Sequence, residues 1–203
     1  NQVLVKMEAA PINPSDLALL LGPADLENAE YSSGKLVAKM PEPFNSGAKG
    51  RHGQRLPVGN EGAGTVVATG EGDMAKALAG QRVACVPGTA YGEYAIADAT
   101  MCLPLGDHSA EDGASAFVNP MTALGFVETA KAEGQDAIIH AAAASNLGQM
   151  LGRICRADGM ALVNIARKQE QVELLKGQGA EYVVNSSDDD FMAQLRGAID
   201  ATD

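Results

Sequence analysis

Apolar residues change their spacing along this chain, and the change divides it into two regions. Between Val3 and Met7 they alternate with polar neighbours, and similar short β-type runs recur at Gly64–Ala68, Arg82–Val86 and Glu93–Ile96. A period of two gathers one set of side chains on one face of a pleated strand. Turn residues separate the runs at Gly70-Glu71-Gly72-Asp73 and Pro87-Gly88. This predicts an irregular, barrel-like β domain over residues 1–107. Residues 23–57 interrupt the pattern, being polar and punctuated by proline and glycine, and they read as a long loop or insertion. From Ser109 onward the spacing turns helical, then helix alternates with strand through Asp203. Ser109, with Asp112 three residues on, is the expected N-cap of the first helix.

The second region, 108–203, contains a strand–helix–strand–helix–strand series. Its strands are expected at Ala137–Ala141, Met160–Ile165 and Glu181–Asn185, with helices at Gln149–Ala157 and Asp188–Ala201. Strands that alternate with helices predict an α/β architecture with a parallel sheet, here an incomplete Rossmann-type doubly wound one. Three parallel strands leave an edge that other strands usually cover. The chain also starts without methionine. We expect it to be part of a longer protein.

The turn after the first of these strands is the best place to look for a ligand. A βαβ unit brings a helix N-terminus to the C-terminal edge of the sheet, where a pyrophosphate can be held. The window Ala143-Ala144-Ser145-Asn146-Leu147-Gly148 keeps only the last glycine of G-x-G-x-x-G, which lets the helix pack closely on the strand. Ser145 stands at a glycine position and suits a helix N-cap. We take Ser145, Asn146, Leu147 and Gly148 as candidate cofactor-binding residues; an ordinary strand-to-helix turn is the alternative. Past the second strand come Ala166-Arg167-Lys168, where an NAD site places a carboxylate. Arg167 offers a planar fork for a 2′-phosphate and Lys168 a further charge, so the expected cofactor is NADP. The alternative is two solvated residues opening a helix, where positive charge is mildly unfavourable.

Composition narrows the classes. The net charge of −11 comes with fifteen scattered basic residues, which argues against a nucleic-acid partner. An anionic ligand would need a local positive site against this field. No apolar run is long enough to span a bilayer and no signal-peptide pattern opens the chain. Three cysteines, Cys85, Cys102 and Cys155, are odd in number and widely spaced. They suggest reduced thiols and a cytoplasmic location rather than a disulfide framework or zinc knuckle. His52, His108 and His140 lack paired ligand spacing.

An ordered set of motifs carries a family resemblance: Ala10 to Leu17 (APINPSDL), Gly59 to Gly64 (GNEGAG), Gly80-Gln81-Arg82-Val83, Tyr91 to Ala95 (YGEYA), Asn119 to Ala123 (NPMTA), and the Ala143–Gly148 turn. In this order they resemble the medium-chain dehydrogenases/reductases, zinc-independent branch, close to NADPH:quinone reductases and 2-enoyl thioester reductases. The resemblance implies a GroES-like catalytic domain (1–107) followed by the first half of a Rossmann NADP-binding domain (108–203). Zinc-dependent relatives place Cys and His where this chain has Asn13 and Asn60, and neutral amides are poor zinc ligands. No metal is therefore expected, and Glu61 is expected to anchor nearby backbone amides.

The same resemblance implies catalytic roles for Asn13 and Asn60 as hydrogen-bond donors near the nicotinamide, and places Thr122 near its ribose. Loop stabilisation is the alternative for each asparagine. The implied reaction is hydride transfer to a quinone or other carbonyl-activated alkene, a small molecule. The tyrosine of enoyl thioester reductases has no match in Leu17-Ala18-Leu19-Leu20-Leu21. Tyr31 is the nearest, while Tyr91 and Tyr94 are expected to pack along a strand. A regulatory or structural nucleotide-binding protein, or a zinc-independent aldehyde or alcohol reductase, stays open. A homodimer is implied for the full-length protein, with no membrane partner.

Overall fold

The computed structural model describes residues 1–47 and 49–202. The chain divides into two compact units, Asn1–Ala116 and Phe117–Asp203.

In the first unit the elements run β1 (Gln2–Ala9), α1 (Pro14–Leu20), β2 (Asp25–Ser32), β3 (Lys35–Lys39), α2 (Phe44–Gly47), β4 (Gly62–Thr69), α3 (Asp73–Ala77), β5 (Arg82–Cys85), β6 (Tyr94–Asp98), β7 (Cys102–Pro104) and α4 (Ala110–Gly113). Five strands form one antiparallel sheet in the order β6-β1-β4-β5-β7. Among the described residues no pairing joins β6 to β7, so the sheet is open. The alternation of β1 sends Val3 and Val5 into a core with Val66, Val83, Cys85 and Ala97, and Leu78 after α3 closes over it.

Segment 23–57 is not a bare loop. It holds the β2–β3 hairpin, turned by Ser33 (φ 51°) and Gly34 (φ 74°). Two successive left-handed residues make the turn type that matches the twist of paired strands. Most hairpin residues are exposed, so no apolar stripe marks them in the sequence. Strand β7 was also not anticipated: it is three residues long and contains Pro104. Ser109 does cap a helix, accepting from the Asp112 N–H at 3.1 Å, but that helix, α4, ends after one turn.

The second unit runs α5 (Val118–Ala132), β8 (Ala137–Ala141), α6 (Asn146–Asp158), β9 (Ala161–Ala166), α7 (Gln169–Gly177), β10 (Tyr182–Asn185) and α8 (Phe191–Asp200). The strands are parallel in the order β10-β9-β8. Helices α5 and α6 pack Ala123, Val127, Leu151 and Cys155 against Leu162 of β9, and α7 packs Val172 and Leu175 near Ala143 and Ala166. Buried Asn164 donates to the carbonyls of Leu162 (3.0 Å) and Tyr182 (3.1 Å), tying β9 to β10. No helix among the described residues is long and apolar enough to cross a membrane.

Candidate functional site

In the first unit, the residues around Asn13 and Asn60 are organised by a buried carboxylate. Asn13 precedes Pro14, whose fixed φ suits the first position of α1. One turn in, Asp16 is 1% exposed. Its Oδ2 accepts the Asn13 N–H at 3.1 Å and its Oδ1 the Asn60 N–H at 2.8 Å. A single carboxylate thus joins the Asn13 loop to a loop 44 positions beyond Asp16 in sequence, and accepting both hydrogen bonds offsets the cost of its burial. The side chains add a second layer. Asn13 Nδ2 donates to Glu61 Oε1 at 3.0 Å and Asn60 Nδ2 to Ser15 Oγ at 3.0 Å. Each amide nitrogen carries two hydrogens, so each keeps one more to donate.

Asp16 anchors the backbone amides of Asn13 and Asn60, and Glu61 receives the Asn13 side chain. One expectation changes here. Tyr91 does not lie on a strand: it sits in a turn before β6, and its hydroxyl donates to the Pro11 carbonyl at 2.9 Å. Burial, and then the negative charge of Asp16, push its pKa up. Tyr91 therefore ties the segment that precedes Asn13 to the frame. Tyr31 lies on β2 and is 75% exposed; Tyr94 is on β6, also exposed. Asp16 was legible only as part of the Asn-Pro-Ser-Asp motif, because no local pattern announces contacts this distant.

In the second unit the turn between β8 and α6 forms a cleft of about 400 Å³ at the C-terminal edge of the parallel sheet, with Arg167 on its far side. Ser145 is the N-cap of α6, its hydroxyl accepting from the Gly148 N–H at 3.1 Å. A Cβ on Gly148 would lie 2.2 Å from the Ala143 carbonyl oxygen, so only glycine lets the helix start this close to the strand. The N–H groups of Asn146 and Leu147 have no acceptor among the described residues. They are the unsatisfied donors of a helix N-terminus, where anions bind. Ala142 turns the chain with φ 58°, a conformation unusual for alanine.

Across the cleft, β9 ends in buried Ala166. Gln171 Oε1 accepts the N–H groups of Arg167 and Lys168, each at 3.2 Å, and the Ser187 hydroxyl donates to the Arg167 carbonyl at 2.8 Å. The backbone at Arg167 is thus held, while its guanidinium makes no ion pair among the described residues. Lys168 turns elsewhere, toward Glu170 at 3.4 Å, with both side chains well exposed. Such a pair contributes little. Thr122 lies on α5 and donates its hydroxyl to the Val118 carbonyl at 2.6 Å. Ser145 and Arg167 are therefore brought to one cleft; Lys168 and Thr122 do not line it. His140 lies on β8 with its ring centroid 6.1 Å from that of Phe126, and burial lowers its pKa. Among the described residues no cluster of three or more His, Cys, Asp or Glu side chains is disposed to hold a metal.

Known proteins resemble this arrangement. Residues 1–107 match the alcohol dehydrogenase GroES-like domain. The mitochondrial enoyl-[acyl-carrier-protein] reductase of Bos taurus is 30% identical over 200 residues, covering 93% of this chain and 46% of that protein. A solved structure from Mesorhizobium loti, described as a candidate NADPH:quinone reductase, is 35% identical with a TM-score of 0.75, over 99% of this chain and 53% of that one. The quinone oxidoreductase of Coxiella burnetii shares the fold at 22% identity, with a TM-score of 0.72 over 95% of this chain and 56% of that one. The chain thus spans about half the length of these relatives. It belongs to the family of alcohol dehydrogenase GroES-like domains and, within the medium-chain dehydrogenases/reductases, to the zinc-independent branch of quinone and enoyl reductases.

Proposed function

We propose that this chain supplies the catalytic unit and the first half of the cofactor unit of a zinc-independent oxidoreductase that uses NADPH to reduce quinones or other carbonyl-activated alkenes. Residues 1–107 are the GroES-like catalytic part and 108–203 the first half of a Rossmann NADP-binding domain. The observation that carries the reading is the cleft between the β8–α6 turn and Arg167. One wall is the turn Ala142–Ser145, from which α6 starts with the unsatisfied N–H groups of Asn146 and Leu147, and the other carries Arg167, whose guanidinium has no ion pair among the described residues, beside Ala166. A dinucleotide with an extra phosphate fits this donor set: the helix N-terminus suits a pyrophosphate, Arg167 a dianionic phosphate, and Ala166 brings no carboxylate to repel it. Glycine at position 148 fits the same role, since a side chain there would displace the helix start. When bound, the dihydronicotinamide supplies the hydride.

The remaining chemistry falls to this chain's own side chains. Negative charge gathers on a carbonyl or quinone oxygen as the alkene is reduced, and preorganised donors stabilise it. The second amide hydrogens of Asn13 and Asn60 take that role, with Asp16 holding both backbones in place. Amide nitrogens cannot serve as zinc ligands in the manner of thiolate and imidazole, which is why zinc is left out. An apolar hollow of about 420 Å³ lined by Leu19, Leu21, Met40 and Phe44 suits a poorly hydrated substrate. Thr122 is assigned to the nicotinamide ribose, and Lys168 supplements the field at Arg167.

A second reading narrows the alkene to an enoyl thioester. It is favoured by the 30% identity to the bovine enoyl reductase. Against it stands the apolar sequence Leu17–Leu21, which offers no tyrosine as proton donor, while Tyr31 is exposed on the hairpin. The test is steady-state NADPH and NADH oxidation by the complete protein with quinones, enones and enoyl thioesters. We expect NADPH-dependent turnover of quinones and enones. Arg167→Ala should weaken NADPH binding roughly 10- to 100-fold, the worth of one charge-assisted hydrogen-bond pair. NADH binding should hardly change. Equal use of NADH, with Arg167→Ala silent toward both coenzymes, would defeat the cofactor assignment. NADPH binding without turnover of any acceptor would favour a regulatory role.

A further inference from the structure

The catalytic reading leaves the thiols of the first unit unused. Cys85 ends β5 and Cys102 opens β7, and the two stand opposite each other in that antiparallel pair. The hydrogen-bond alternation decides which kind of pair they form. The Leu105 N–H donates to the Arg82 carbonyl at 3.0 Å, marking Arg82 and Leu105 as a hydrogen-bonded pair. Counting inward through Val83–Pro104 and Ala84–Leu103, the pairs alternate, so Cys85–Cys102 is non-hydrogen-bonded. Pro104, which has no N–H to give, falls in a non-hydrogen-bonded position as this register requires. Opposed residues of that kind have Cα atoms about 4.5 Å apart, with side chains on one face, inside the roughly 4.4–6.8 Å range that a disulfide bridges. Interaction between the two thiols raises the pKa of Cys85 and lowers that of Cys102. The Cys102 thiol in turn donates to the Asp98 carbonyl at 3.4 Å.

We propose that Cys85 and Cys102 form a reversible dithiol/disulfide site that responds to hydroperoxides, with Cys102 meeting the oxidant and Cys85 resolving it. Cys85 is 0% exposed in the sheet core, whereas Cys102 lies on the edge strand and is only partly buried. Interaction with Cys85 lowers the Cys102 pKa, against its own burial and the charge of Asp98. The same interaction, with burial, keeps Cys85 protonated. The thiolate of Cys102 attacks the nearer peroxide oxygen and the O–O bond breaks. The departing alkoxide takes a proton from water, and the Cys102 sulfur, oxidised by two electrons, becomes a sulfenic acid. The Cys85 sulfur then attacks the Cys102 sulfur; the S–S bond forms, the S–OH bond breaks, and the Cys85 proton leaves with hydroxide as water. Two thiols and one hydroperoxide yield one disulfide, one alcohol and one water. Cys85 also pairs with Gly62 at the start of β4, so the bridge fastens the edge strand to the ladder that carries Asn60 and Glu61.

The experiment treats the 203-residue chain with hydrogen peroxide, blocks remaining thiols by alkylation, and maps peptides by mass spectrometry without reduction. Titratable thiols should fall from three to one, with Cys85 linked to Cys102, Cys155 alkylated, and all three recovered by dithiothreitol. In Cys85→Ser, Cys102 should accumulate a dimedone-reactive sulfenic acid; in Cys102→Ser, Cys85 should stay reduced. Circular dichroism checks that both variants fold, and Cys→Ala replacements serve if either does not. Three surviving thiols, a linkage through Cys155, or sulfinic acid on Cys102 beside a free Cys85 would each overturn the assignment.

Discussion

Asp16 carries more of the local architecture than its size suggests. It has no cationic partner among the described residues, so its burial is tolerated because both oxygens accept backbone N–H bonds from Asn13 and Asn60. Asparagine would keep one acceptor and turn an amide N–H toward the other donor. We expect Asp16→Asn to destabilise the chain by about 2–4 kcal/mol, the loss of one charge-assisted bond plus one unsatisfied buried donor. The urea midpoint measures this; a change below about 0.5 kcal/mol, the level of ordinary surface substitutions, would mean the two loops hold themselves. At this scale the sequence pointed to Asn13 and Asn60 by resemblance. Who binds them was not legible, because the contact from Asn60 to Asp16 crosses 44 positions.

Among elements, the strands with one buried face were readable and those without were not. Ala137–Ala141 has the bounds its apolar run suggested, and β1, β4, β5 and β6 fall on the four expected β-type runs. The β2–β3 hairpin escaped notice because both faces are largely solvated, which removes the period-two signal. Helix α4 shows the opposite case: its capping box was plain, but its length was not. Asp112 there has its pKa lowered from the usual 3.8, first by the Ser109 hydroxyl and then by the Ser109 backbone N–H. A depressed folded-state pKa gives stability that is present above the unfolded value and is lost as pH falls through the folded one. Asp112→Asn should therefore be destabilising at neutral pH and no longer so once acid has protonated the native carboxyl. Thermal melts of both proteins between neutral and strongly acidic pH test this; a gap that persists at the acid end would contradict it.

For the molecule as a whole, each unit has its own hydrophobic cluster: Val3, Val5, Val66 and Val83 in the first, and Val127, Leu151, Cys155 and Leu162 in the second. Separate cores are what allow units to fold separately. A fragment of residues 1–116 should unfold cooperatively in urea, with near-ultraviolet dichroism from its tyrosines; a non-cooperative transition would show that it depends on the rest of the chain. The net charge of −11 opposes any anionic ligand at long range. A nucleotide must therefore be won by local groups, which gives the lone guanidinium of Arg167 its importance.

By itself the amino-acid sequence determined the alternation of strand and helix, the helix caps at Ser109 and Ser145, the glycine at 148, and the basic step after the second parallel strand. All of these depend on neighbours a few residues apart, within reach of backbone sterics and side-chain period. Only the tertiary structure decided that Arg167 faces the cleft, that Asp16 joins two distant loops, and that Cys85 stands opposite Cys102. Those outcomes depend on sheet register and chain crossing, which set distances between residues whose separation along the chain carries no such information.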